Sequence, residues 1–96
     1  MSIAMYPGRF DPVTNGHLDI VDRSSKLFDH VIIAVANGNE ESNLFSGEER
    51  AIMFNESTAK YKNVSVQTFD GLTIDIARKY KVDVLIRGLL HSKIYF

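Results

Sequence analysis

Residues 7–17 read Pro-Gly-Arg-Phe-Asp-Pro-Val-Thr-Asn-Gly-His, with an arginine, an aspartate and a histidine around one predicted helix start. Thr14 stands where a helix N-cap belongs, which leaves backbone N–H groups and the positive end of the helix dipole facing outward. Gly16 removes a side chain where a ligand must come close. His17, in the first turn, can donate to the same anion. Pro12 fixes the turn, and Asp11 can tie the loop to itself. A lone histidine at such a position is more often a surface residue of a helix cap. Accompanied by Pro7-Gly8, Asp11-Pro12 and Gly16, His17 points instead to phosphate binding.

Short β-rich runs alternate with helical patterns on either side of this loop. Ile3–Tyr6 is a first strand stopped by Pro7-Gly8. A helix follows, with Leu18, Val21, Ser25 and Phe28 on one face and Ile20, Ser24 and Leu27 beside it. His30–Ala36 is apolar on both faces, as buried parallel strands are. A polar loop leads to Ser46 and Glu49, a capping box for a helix running to about Tyr61. Asn63–Phe69 is a third strand, and Asp70-Gly71 turns into a helix carrying Leu72, Ile76 and Tyr80 inward. Val82–Ile86 is a fourth strand, ending at Arg87-Gly88. The alternation predicts an α/β fold with a parallel sheet and helices on both of its faces. Such sheets bind ligands at the carboxyl ends of their strands, which is where the loop 7–17 lies.

Composition narrows the function. With 96 residues the chain makes one domain, and 11 basic against 12 acidic side chains give a net charge of -1. That balance argues against a nucleic-acid binder that neutralises many phosphates, but leaves room for one basic pocket. No cysteine is present, so disulfides, thiolate metal sites and cysteine nucleophiles are excluded. The apolar run at Ile3–Tyr6 is too short for a signal peptide and no stretch approaches a membrane span, which makes the cytoplasm the expected compartment.

The stretch PGRFDPVTNGH resembles the signature of the nucleotidyltransferase superfamily with a T/H-x-G-H motif, here Thr14-Asn15-Gly16-His17. The segments LDIVDRSSKLFDHVIIAVA, LFSGEER, NVSVQTFDGLTIDIAR and VLIRGL are similar to the same family, in order, from about Ile3 to Leu89. The threonine of the motif and the IRGL segment favour the branch that adenylylates 4'-phosphopantetheine in coenzyme A synthesis. The resemblance implies a Rossmann-like sheet of strand order 3-2-1-4. It implies transfer of AMP from ATP to 4'-phosphopantetheine, giving dephospho-CoA and pyrophosphate, with Mg2+ accompanying the ATP. His17 is then the catalytic residue on the α-phosphate. Arg9, Phe10 (through its backbone), Gly88 and Leu89 line the ATP side with it. Arg87 takes the acceptor's phosphate, with Arg9 able to reach it too, and Thr73 takes the pantetheine arm. His30 and His91 are left as structural residues. The family is homo-oligomeric, so a homo-oligomer is expected, with no nucleic-acid or membrane partner.

The pattern departs from the family in three places. Arg9 stands where a serine or threonine is usual, a larger group that can still bind phosphate bidentately. Glu41 and Ser42 occupy the place of an acceptor-binding lysine. Beyond Leu89 the chain reads LHSKIYF, with Leu90 where a second arginine is usual, so residues 90–96 are expected to be a divergent tail in a fold lacking the family's last strand and helices. Two alternatives follow: a non-catalytic remnant of this family, or a related nucleotidyltransferase with a different acceptor.

Overall fold

A computed structural model describes residues 2–10, 13–36, 46–70, 73–88 and 94–95. β1 (Ile3–Gly8) leads to α1 (Asn15–Leu27), and β2 (His30–Ala36) returns beside β1. α2 (Gly47–Ser57), β3 (Val64–Phe69), α3 (Thr73–Lys79) and β4 (Val84–Leu85) complete the alternation. The strands form one parallel sheet of order β3-β2-β1-β4, as the pattern and the resemblance led us to expect. β1 pairs with β2 from Ile3↔His30 to Gly8↔Val35, and these two strands form the buried centre of the sheet.

Strand alternation sorts the core into two layers, because successive side chains point to opposite faces. Ala4 and Tyr6 of β1, with Val31, Ile33 and Val35 of β2, face α1 and α2 through Ile20, Val21 and Phe54. Met5, Ile32 and Ala34 face the other way, against Ile76, Ala77 and Tyr80 on and just after α3. Helices therefore cover both faces.

Four local expectations are refined. Leu27 is 62% exposed: it is the last residue of α1, where the chain turns toward β2. α2 stops at Ser57, short of Tyr61, because the Thr58 hydroxyl and N–H both bond the Phe54 carbonyl and close the helix. Tyr61, released from the helix, donates its hydroxyl to Asp22 on α1 at 2.7 Å. The paired part of the fourth strand is only Val84–Leu85, although Asp83 and Ile86 extend its bonding to β1 through the carbonyls of Ile3 and Met5. Arg87 is not its last residue: β5 (Arg87–Gly88) bends away to pair antiparallel with β6 (Ile94–Tyr95), a small second sheet that the sequence did not announce. Leu72 and Glu41-Ser42 lie outside the described residues.

Candidate functional site

The carboxyl ends of the four strands open into a cleft of about 540 Å³, lined by Pro7, Gly8, Arg9 and Phe10 after β1, by Ala36 and Phe69, and by Leu85, Ile86 and Arg87. Tyr6 and His17 complete its wall. Four of the residues read from sequence as binding or catalytic, Arg9, Phe10, His17 and Arg87, thus meet in one cavity. Gly88 stands next to Arg87 in β5, and Thr73 begins α3. Leu89, Asp11 and Pro12 lie outside the described residues.

Thr14 caps α1 as predicted: its hydroxyl accepts the His17 N–H, and Leu18 N–H bonds the Thr14 carbonyl. The cap also disciplines the imidazole. Thr14 N–H donates to His17 Nδ1 at 3.0 Å, and the Thr14 hydroxyl lies 3.1 Å from the same nitrogen. A nitrogen that accepts from a backbone N–H carries no proton, so the neutral ring holds its hydrogen on Nε2. Burial lowers the His17 pKa from its ordinary value, which keeps the ring in that neutral form. A single, oriented Nε2–H donor results, on a side chain that lines the cleft.

Aromatic rings hold His17 from behind. Phe10 meets it edge-on, with centroids 4.9 Å apart, and meets Phe54 and Tyr6 in the same manner at 4.7 and 5.0 Å. Phe10 reaches this position in a left-handed backbone conformation, φ 51°. Its ring folds back over Gly8, where an added Cβ would come within 2.9 Å of the ring tip. Gly8 is therefore required by the protein's own packing. At Gly16 an added Cβ would meet only the Thr14 hydroxyl, at 3.6 Å, so nothing in the described fold demands glycine there. Burial also pushes the Tyr6 phenol up to about 12, so it is neutral at ordinary pH.

Sequence reasoning missed Tyr6, Phe54 and Arg50. Gly47, Arg50 and Phe54 make the buried stripe of α2, a placement that the periodicity of the helix alone does not mark. Arg50 reaches across to the loop after β1, donating to the Arg9 carbonyl. His30, left as structural, bonds Ser65 across β2 and β3 at 2.9 Å. Among the described residues no group of three or more His, Cys, Asp or Glu could hold a metal ion. None of their helices is long and apolar enough to cross a membrane.

Residues 5–93 match the family model described as cytidylyltransferase-like. The chain is 48% identical over 89 residues to the phosphopantetheine adenylyltransferase of Clostridium perfringens SM101, covering 93% of this chain and 54% of that enzyme. It is 49% identical over 87 residues to the phosphopantetheine adenylyltransferase of Helicobacter pylori J99, covering 91% and 55% respectively. The chain spans about half the length of the curated relatives it matches. Its fold is similar to a bifunctional NMN adenylyltransferase/ADP ribose pyrophosphatase of Francisella tularensis, solved with AMP and manganese. There the TM-score is 0.67 at 20% identity, over 88% of this chain and 31% of that one.

Proposed function

The chain belongs to the cytidylyltransferase-like family, and on that premise we propose that it transfers AMP from ATP to 4'-phosphopantetheine, yielding dephospho-CoA and pyrophosphate. The observation that carries the reading is one cleft in which a fixed, neutral His17 stands with Arg9 and Arg87. Its similarity to phosphopantetheine adenylyltransferases selects the acceptor.

In this reaction a phosphate oxygen of the acceptor forms a bond to the α-phosphorus of ATP, and the bond from that phosphorus to the β-phosphate's bridging oxygen breaks. Pyrophosphate carries the electron pair away. The acceptor's phosphate is already an oxyanion, so no covalent nucleophile and no strong base are needed. Catalysis then rests on positioning and on stabilising charge at the α-phosphate.

His17 supplies the Nε2–H donor there, and Phe10 contacts ATP through its backbone. Arg87 receives the acceptor's phosphate, with Arg9 available to either phosphate group as a planar fork. Gly88 and Leu89 border the nucleotide, and Thr73 the pantetheine arm. Magnesium enters with ATP as its phosphate complex, since Mg2+ is commonly held by substrate phosphates and waters. Such an enzyme of coenzyme A synthesis works in the cytoplasm.

A coupled assay of pyrophosphate release with ATP, Mg2+ and 4'-phosphopantetheine tests the reading, with dephospho-CoA measured in parallel. Stoichiometric appearance of both products is expected. ATP binding without either product would make the chain a non-catalytic member of the family. Release of pyrophosphate with a different phosphorylated acceptor only would reassign the substrate.

A further inference from the structure

Arginine is costly to bury, because its guanidinium does not escape the charge by losing a proton. Arg50 is nevertheless 0% exposed, and it is the largest of the fully buried side chains among the described residues. Its Nε donates to the Ser46 carbonyl at 3.2 Å, a contact within its own helix start. Its Nη1 donates to the Arg9 carbonyl at 2.5 Å, across 41 residues of sequence. The second bond lands on the peptide that joins Arg9 to Phe10.

That peptide is a demanding place. Phe10 has φ 51°, a left-handed backbone that is strained for a non-glycine residue, so its surroundings must hold it. Phe54 and Tyr6 grip the ring of Phe10, while Arg50 grips the carbonyl on its N-terminal side. A peptide unit is planar and trans, so fixing the Arg9 carbonyl also fixes the Phe10 N–H, pointing the opposite way. Phe10 in turn packs edge-on against His17.

We propose that Arg50 is a positioning residue for the cleft: its buried guanidinium sets the Arg9–Phe10 peptide, which aims the Phe10 N–H and braces the His17 ring without touching substrate. Its effect on turnover rests on the adenylyl-transfer reading; its effect on the ring does not.

Arg50→Lys keeps the charge but not the fork, and Arg50→Met keeps the length but not the charge. Ile32→Ala, a core deletion on the opposite sheet face, serves as the stability control. Imidazole ¹H–¹⁵N spectra of His17 in the full chain report its tautomer and titration midpoint, alongside melting temperature and the pyrophosphate assay. Both Arg50 variants are expected to fold, with the His17 pattern moving toward that of a free imidazole. Turnover should fall about 10²-fold, the scale of a misplaced catalytic group, with KM for ATP little changed. Ile32→Ala should lower the melting temperature and leave the His17 spectrum intact. The proposal is overturned by a folded Arg50→Lys and Arg50→Met with the wild-type His17 spectrum. It is equally overturned by the same spectral change in Ile32→Ala, or by global unfolding of both Arg50 variants. Should the wild type show no turnover, the adenylyl-transfer reading falls, and the spectra alone decide the role of Arg50.

Discussion

At His17 two effects act in the same direction. Burial disfavours the imidazolium, and the donors from Thr14 occupy the nitrogen that a second proton would need. An NMR titration should therefore place its midpoint below 6.5. The unfolded chain takes up this proton near the ordinary value and the native chain only at lower pH. Stability contributed by the neutral ring is accordingly complete above pH 6.5 and is lost as the pH falls from there toward the native midpoint. A midpoint above the ordinary value would contradict the tautomer drawn from Thr14. For catalysis, His17→Ala should reduce turnover by about 10²–10³, the usual cost of one preorganised donor to a developing oxyanion. Melting temperature and ATP affinity should change little, since charge on the α-phosphate builds chiefly in the transition state. Near-full activity in that variant would remove His17 from the catalytic role.

Among the elements, α2 does more than cover the sheet. Phe54, fully buried, packs on Phe10 from below the cleft, while the capping box of Ser46 and Glu49 fixes where the helix begins. Phe54→Ala should cost about 3–5 kcal/mol in urea denaturation, through lost burial and the cavity left under Phe10. Ser46→Ala should cost only about 1 kcal/mol, because it removes one cap and leaves the buried stripe alone. The ratio of these two losses is the check. Comparable losses would mean that α2 is held by its end and not by its packing. The cap of α1 carries a second duty, since Thr14 both starts the helix and orients the ring that faces the cleft.

For the molecule as a whole, the sheet is asymmetric. β1 pairs with β2 along its whole length at the centre, whereas β4 contributes two ladder residues at an edge. Among the described residues no strand pairs with the outer side of β4. An apolar edge with open N–H and C=O groups invites pairing with another chain. The 96-residue chain should therefore associate at micromolar concentration, consistent with the homo-oligomer implied by its family resemblance. Light scattering that returns a single monomeric mass across that range would contradict the expectation. Amide exchange should be slowest in β1 and β2 and fastest at β4, following the depth of burial.

Much of this was legible in the sequence because it is written in short-range patterns. Short apolar β-rich runs, the caps at Thr14 and Ser46, and the Pro7-Gly8 stop each involve neighbours within about one helical turn, and they fixed the order of elements. That order placed the loop 7–17 at the carboxyl end of the first strand, and the T-x-G-H resemblance supplied the role proposed for His17. The strand order 3-2-1-4 was available from the same two sources. Tertiary structure alone decided what braces the site. Phe10 turns left-handed over Gly8, Phe54 arrives from another helix, and Arg50 bonds a carbonyl 41 residues away. Nothing in a helix's own periodicity distinguishes an arginine that snorkels to solvent from one that is swallowed. The difference is set by where a distant loop leaves a carbonyl to be satisfied, and that is a property of the folded chain.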